Sequence, residues 1–188
     1  MRAGRPSKGP LSSRAVGRSI NHVYMKERWA EAAALIRKAL IKAPNDHWLL
    51  TRLSSTHYEM RQYRKALGLS RRALAAAPRC PLALWDFAGV LRMLGRHKES
   101  IRALQGLVRR GPAAIAREDC GEGLVRARAM VNDSRYLIAR NYEDLGNPAM
   151  ARRYLRAYLR GRQNGSKGIY SRREASDRLR LLLSVARA

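Results

Sequence analysis

The fold is decided by three segments whose last residues are prolines 34 residues apart: WAEAAALIRKALIKAP (29–44), YRKALGLSRRALAAAP (63–78) and HKESIRALQGLVRRGP (97–112). A fixed period of this length indicates that one supersecondary unit is repeated along the chain. Equivalent positions in the three copies carry small or apolar residues: Ala32, Ala66 and Ser100 lie twelve residues before each proline, and Ala39, Ala73 and Leu107 lie five before it. The repeated unit is predicted to be a hairpin of two antiparallel helices.

Physical chemistry explains why these residue types recur. Small side chains such as Ala32 and Ala66 let two helix backbones approach closely, where larger side chains would hold them apart. A proline cannot continue a helix, and it biases the preceding residue away from the α region, so Pro44, Pro78 and Pro112 are expected to end the returning helices.

This set of positions resembles the tetratricopeptide repeat, in which an early Trp/Leu-Gly/Tyr helix is followed by an Ala-x3-Phe helix and a terminal proline. The resemblance extends over residues 13–163, although the motif residues are degenerate. Gly95 and Gly146 keep the glycine of the turn between the two helices, whereas Arg61 takes its place in the second copy. The resemblance implies an all-α fold, a right-handed α-solenoid of about four hairpins closed by a C-terminal capping helix.

Composition shifts predict a disordered basic arm (1–12), the repeat domain (13–163), a linker (164–170) and the capping helix (171–188). A transit peptide is the alternative interpretation of the N-terminal residues, although they show no amphipathic apolar stripe. After Pro112 the period breaks, and the repeat resumes about seventeen residues late, which places an insertion at 113–131. Residues 113–123 are predicted to be irregular, and 124–131 to lengthen the next helix. Two interpretations of the insertion stand, since such segments often form part of a binding face and are also tolerated as plain surface loops.

The last helix has a start signal of its own. Ser171 and Glu174 fit a capping box, in which each side chain satisfies a free backbone N–H of the first turn. Its arginines suit the polar outer side of a terminal cap, which repeat arrays require. A basic amphipathic helix for a membrane or a nucleic acid is the alternative interpretation.

The charge of the chain is extreme. The 188 residues carry 39 Lys and Arg against 14 Asp and Glu, a formal net charge of +25, and Arg greatly outnumbers Lys. Arginine provides planar, bidentate recognition of carboxylates and phosphates, whereas the codon bias of a GC-rich genome accounts for the same excess without any function.

The sequence offers little for catalysis or metal binding. Cys80 and Cys120, in separate segments of a chain without a signal peptide or a long apolar run, predict reduced thiols in a cytoplasmic protein. The four histidines form no metal-ligand spacing with each other or with the cysteines, so neither a metal nor another cofactor is expected. The segment 161–167, GRQNGSK, lacks the spacing and the preceding strand of a phosphate loop. An enzyme is therefore not expected.

The resemblance implies that the first helices of successive hairpins line a concave groove for an extended peptide or a partner's helix. The groove candidates, assigned by register, are Asn21, Tyr24, Trp48, Arg52, Ser55, Tyr58, Trp85, Arg92, Tyr136 and Arg140. Aromatic anchors mixed with Arg predict a protein–protein interaction scaffold that binds an acidic peptide or protein. The alternative is an RNA- or DNA-binding solenoid in which Arg contacts phosphate and aromatic rings stack on bases.

Overall fold

A computed structural model of the protein describes residues 14–118 and 120–184. These residues contain nine α-helices and no strand: α1 Arg14–Met25, α2 Trp29–Lys42, α3 His47–Glu59, α4 Tyr63–Ala76, α5 Pro81–Met93, α6 His97–Arg117, α7 Leu124–Asp144, α8 Pro148–Gln163 and α9 Arg172–Ser184. The predicted arm at 1–12 lies outside the described residues, as does the end of the capping helix at 185–188.

Consecutive helices pair as hairpins, α1 with α2, α3 with α4, α5 with α6 and α7 with α8, and each hairpin packs against the next. Pro44 and Pro78 directly follow Ala43 and Ala77, the residues that cap α2 and α4. The two prolines therefore occupy equivalent corners of the first two hairpins. The all-α solenoid predicted from the period is confirmed.

The small positions of the repeat lie where the helices of a hairpin come closest. Ala32, Ala66, Ser100 and Ala151 are all fully buried. Ser100 is tolerated among the alanines because its hydroxyl donates to the carbonyl oxygen of Ala88 across the hairpin, at 2.8 Å. The residues four positions further on, Ile36, Ser70, Leu104 and Leu155, are also fully buried.

The turn between the two helices of a hairpin keeps one backbone conformation although its sequence varies. Glu27, Arg61, Gly95 and Gly146 all have positive φ, between 54° and 72°. Glycine adopts this left-handed region without strain, whereas Glu27 and Arg61 occupy it at a steric cost. The loss of the motif glycine at position 61 therefore left the turn geometry unchanged.

The inserted segment differs from the prediction. Residues 113–123 were expected to be irregular, but α6 kinks at Gly111 (φ 71°) and a helical segment resumes at Pro112 and continues to Arg117. A proline is well placed in the first turn of a helix, since its missing N–H has no partner there in any case. Ile115 buries its side chain in the core beside Leu107. The free energy gained by this burial offsets the conformational entropy that is lost when the segment is ordered. The extension of the following helix back to Leu124 is confirmed.

The last helix packs on α8, with Ala175 fully buried against Tyr136 and Tyr158. Half of the predicted capping box forms, because Ser171 Oγ accepts the backbone N–H of Glu174 at 2.9 Å. The Glu174 carboxylate instead accepts from the hydroxyl of Tyr136 on α7. Among the described residues, no helix combines the length and the apolar character that crossing a bilayer requires.

Candidate binding groove

The first helices of three successive hairpins, α3, α5 and α7, line two adjoining cavities. One, of about 270 Å³, lies between α3, α5 and the start of α7. The other, of about 500 Å³, lies between α3, α5, α7 and residues 169–174. Both cavities are lined by Ser55, Trp85 and Asp86, so together they form one continuous surface, which we call the groove.

The groove brings together eight of the ten residues selected from the sequence. The first cavity is lined by Trp48, Arg52, Ser55 and Trp85, and the second by Ser55, Tyr58, Trp85, Arg92, Tyr136 and Arg140. These residues share a face because the early helices of the hairpins present equivalent registers to the same side.

The two candidates on α1 lie outside the two cavities. Asn21 is exposed on α1. Tyr24 joins α1 to α3, since its hydroxyl donates to the carbonyl oxygen of Arg52 at 2.8 Å. The Arg52 guanidinium in turn lies over the rings of Tyr24 and Trp48, 5.4 Å from each centroid. Tyr24 therefore positions a groove residue and does not line the groove itself.

The arginines of the groove are held by neighbours. Arg92 donates to Asp144 at 2.8 Å, and Arg140 lies 3.2 Å from Glu143. A guanidinium has five N–H donors, so each of these side chains keeps donors for a ligand while its orientation is fixed. The acidic neighbours also make the local charge of the groove much smaller than the +25 of the chain suggests.

Asp86 is a groove residue that sequence reasoning missed. Its carboxylate accepts hydrogen bonds from the hydroxyls of Ser54 and Ser55, the second at 2.7 Å. Burial raises its pKa to about 6, although these two hydrogen bonds and Arg52 act in the opposite direction. Its position is the equivalent of Arg52 one period later, but the sequence gives no sign of its contacts, because Ser54 and Ser55 lie on the preceding hairpin and share no motif with it.

The segment predicted to be a linker also contributes to the groove. Tyr170 stacks on Tyr136 with ring centroids 4.2 Å apart, and Tyr136, which also packs against Tyr158, is only 1% exposed. Tyr136 therefore forms the floor of the groove and presents little surface to a partner. Ile169, next to it, is 75% exposed and lines the second cavity.

Three possible metal ligands converge beside the first cavity. His47, Cys80 and Cys120 each offer one ligand atom, and these atoms lie within 4.8 Å of one another. His47 Nε2 is 2.8 Å from Cys120 Sγ. A hydrogen bond with Cys120 and the proximity of His47 lower the Cys80 pKa to about 5, against the opposing influence of burial. Linear spacing did not indicate this cluster, since its members come from three separate elements.

Comparison with known proteins finds a repeat family that is similar to part of the chain. Residues 51–115 match the family model described as tetratricopeptide repeat. Solved structures share the fold of nearly the whole chain: MamA (41-end) from Desulfovibrio magneticus RS-1 has a TM-score of 0.62 at 11% identity and covers 93% of this chain and 94% of its own.

The nearly identical TPR-like repeats of a kinesin light chain from Podospora anserina have a TM-score of 0.67 at 15% identity, covering 91% of this chain and 85% of their own. A second structure of MamA gives a TM-score of 0.57 at 17% identity, covering 88% and 92%. At these identities the likeness shows the fold. No curated protein matches the sequence.

Proposed function

Because residues 51–115 match the tetratricopeptide repeat and the described chain folds as a solenoid of helical hairpins, we propose that the protein is a protein–protein interaction scaffold. Its partner is an acidic peptide or protein segment that lies along the groove. The observation that carries this proposal is the continuity of the groove across α3, α5 and α7, with aromatic and Arg side chains along its length.

The aromatic side chains of the groove supply the anchors. Trp48, Tyr58 and Trp85 are half-buried, so each is fixed by its own packing and still presents a face to a partner. Rigid aromatic groups of this kind dominate the free energy of binding at many interfaces, since they bury large area at a low cost in conformational entropy.

The charged side chains of the groove fix where acidic groups bind. The guanidinium groups of Arg52, Arg92 and Arg140 pair favourably with carboxylates. Asp86 lies between them at the junction of the two cavities, and a carboxylate placed there would be repelled. We therefore expect the bound segment to carry acidic residues near both ends of the groove and a neutral or hydrogen-bond-donating residue over Asp86.

The proposal is tested by a pull-down with the full chain at physiological salt in the presence of nuclease, followed by binding measurements on peptides from the captured proteins. Arg52→Ala and Arg71→Ala remove the same charge, but Arg71 is exposed on the returning helix α4. We expect Arg52→Ala and Trp85→Ala each to weaken binding about tenfold or more, and Arg71→Ala to change it less than about twofold.

If Arg52→Ala and Arg71→Ala weakened binding equally, the result would contradict binding in the groove and indicate that polyanions adhere to the whole basic surface. Retention of nucleic acid instead of protein would favour the alternative function. Single-stranded RNA held through about six phosphates should then lose affinity with a slope of about −4 in log K against log salt. The proposal also places the protein in the cytoplasm, where Cys80 and Cys120 stay reduced.

A further inference from the structure

The cluster of His47, Cys80 and Cys120 is built from three elements that are far apart in the sequence. His47 is the first residue of α3, Cys80 is the N-cap residue of α5, and Cys120 lies in the loop before α7. Tertiary packing alone brings these side chains together, at the place where the inserted segment meets the regular repeats.

The loop that carries Cys120 is held by ion pairs on its other side. Glu118 accepts from Arg79 at 3.0 Å and lies 2.8 Å from Arg110. Arg79 is the residue before Cys80, so this ion pair joins the chain next to one cysteine to the chain near the other.

The donor geometry suits a tetrahedral metal ion. Zinc lies about 2.3 Å from a thiolate and about 2.0–2.1 Å from an imidazole nitrogen, so its ligand atoms are separated by roughly 3.6–3.8 Å. The three donor atoms already lie within 4.8 Å of one another. The contact between His47 Nε2 and Cys120 Sγ, 2.8 Å, would need to open by about 0.8 Å to reach this separation.

The donor chemistry selects the kind of metal. Cys80 and Cys120 are only 5% and 6% exposed, and apolar residues such as Leu50 and Ala83 surround them. Two thiolates and a neutral imidazole bind zinc well and disfavour the hard cations magnesium and calcium. Two thiolates also cancel the charge of a divalent ion, so the occupied site would be neutral and its burial would carry no net charge into the core.

We propose that His47, Cys80 and Cys120 bind one Zn²⁺ ion that joins the inserted segment to α3 and α5 at one end of the groove. Three protein ligands leave one position of a tetrahedron open. His47 and Cys80 both line the first cavity of the groove, so the proposed site adjoins that cavity. The ion would thus hold the segment after Glu118 in place beside the groove.

The experiment uses the full, untagged and reduced chain. Zn²⁺ is titrated in competition with a chelator, and Co²⁺ is added separately as a spectroscopic probe of tetrahedral thiolate ligation. We expect one Zn²⁺ per chain and a Co²⁺ complex with thiolate charge-transfer bands. Cys80→Ser, Cys120→Ser and His47→Gln should each weaken Zn²⁺ binding by more than about 100-fold, beyond the 10- to 100-fold that a change outside the ligand set costs.

His22→Gln is the matched control, because His22 is exposed on α1, away from the cluster. It should leave Zn²⁺ binding unchanged. If a ligand variant fails to fold, the wild-type chain still decides the question, since bound Zn²⁺ should protect both cysteines from alkylation and raise the melting temperature.

The proposal is overturned if the folded, reduced wild-type chain binds no Zn²⁺. It is equally overturned if the ligand variants bind Zn²⁺ as tightly as His22→Gln does, or if Co²⁺ shows no thiolate bands. Formation of a Cys80–Cys120 disulfide by a chain whose reduced form binds no metal would show that the cluster is a redox pair instead.

Discussion

The regular repeats up to Arg110 and the part of the chain after Gly111 differ in the polar contacts that add to the packing of small residues. In both regions a buried small residue occupies the same position of the hairpin, as Ala32, Ala66 and Ala151 do. The regular repeats add serine hydroxyls such as that of Ser100, whereas after Gly111 buried amide and carboxyl side chains make the added contacts. Asn132 donates to the carbonyl oxygen of Tyr158 at 3.1 Å, and Asp133 accepts the backbone N–H of Ile169 at 3.0 Å.

This difference shows how a repeat can be fitted to a unique terminal structure. Contacts between small residues are interchangeable, so each hairpin can follow the previous one in the same way. A buried Asn or Asp has a specific partner, because leaving it unsatisfied costs about 1–3 kcal/mol. Asn141 marks the junction of the two regions, since its side chain donates to Ser100 Oγ at 3.0 Å.

The largest expected effect tests what the two regions have in common. Leu104 and Leu155 occupy the same position of the repeat, one in each region, and both are fully buried. We expect Leu104→Ala and Leu155→Ala each to lower the free energy of unfolding by about 2–5 kcal/mol, because each leaves a cavity in a packed core. Urea denaturation measures the change.

Leu181→Ala is the control for this pair, since Leu181 is 65% exposed on α9 and its loss should cost less than about 0.5 kcal/mol. The comparison would be sharpened if Leu155→Ala produced a separate, earlier unfolding transition, because the region after Gly111 would then unfold on its own. A loss below about 1 kcal/mol in either core variant would contradict the shared packing.

The next effect separates the two regions through a pair of helical glycines. A Cβ at Gly161 in α8 would collide with the side chain of Asn132, which its hydrogen bond to Tyr158 holds in place. A Cβ at Gly68 in α4 meets nothing within 4 Å. Gly161→Ala should therefore destabilise the fold by about 1–3 kcal/mol, whereas Gly68→Ala should stabilise it by about 0.5–1 kcal/mol.

Thermal and urea unfolding of the two variants measure these opposite signs. The paired variant Gly161→Ala/Asn132→Ala tests the cause, because it removes the side chain that the new Cβ would meet. A stabilising effect of Gly161→Ala alone would show that Asn132 moves aside freely, and the contrast between the regions would then lose its physical basis.

The sequence predicted those features that depend on the period. The hairpins follow from the period and the start of α7 at Leu124 from a local apolar pattern, and the structure confirms both. The helical segment after Pro112 was missed, because its burial depends on Ile115 meeting a distant core.

The parts of the groove that the sequence did not predict have the same origin. The stacking of Tyr170 on Tyr136 and the position of Asp86 depend on contacts between residues far apart in the chain. Tyr170 lies outside the repeated pattern, whereas Asp86 lies 34 residues after Arg52 but carries the opposite charge, and its contacts with Ser54 and Ser55 leave no periodic signal. Register along the early helices, by contrast, selected eight residues that line the two cavities.

A smaller effect concerns two carboxyl groups, one in each region. Burial raises the pKa of Asp86 and of Asp133 to about 6, from an ordinary value of 3.8. Each folded-state carboxyl group therefore holds its proton more tightly than the unfolded one, and its contribution makes the free energy of unfolding fall as the pH rises from about 4 to about 6. Above pH 6 this contribution is constant.

Asp86→Asn should remove its share of that pH dependence. The full shift corresponds to about 3 kcal/mol, which we reduce to roughly 1–2 kcal/mol because Asp86 is only half-buried in the groove. The free energy of unfolding of the variant minus that of the wild type should be larger at pH 7 than at pH 4 by this amount, as urea denaturation at both pH values would show. Asp133→Asn gives the matched measurement in the other region, and a difference that is independent of pH would contradict the assignment.

The smallest effect compares a helix cap in each region. Asp46 Oδ1 accepts the backbone N–H groups of Trp48 and Leu49 at 2.9 and 3.0 Å, whereas Ser171 Oγ accepts only that of Glu174. We expect Asp46→Ala to cost about 1–1.5 kcal/mol and Ser171→Ala about 0.5–1 kcal/mol in unfolding by urea.

Asp46→Asn keeps an acceptor and loses the charge at the N-terminus of α3, so it should cost less than Asp46→Ala. If Ser171→Ala lowered the free energy of unfolding more than Asp46→Ala, the capping helix would contribute more to stability than its single cap hydrogen bond suggests. In that case the contacts that Ala175 and Glu174 of α9 make with Tyr136 would depend on the cap at Ser171. Because Tyr136 forms the floor of the groove, α9 would then stabilise one end of the groove.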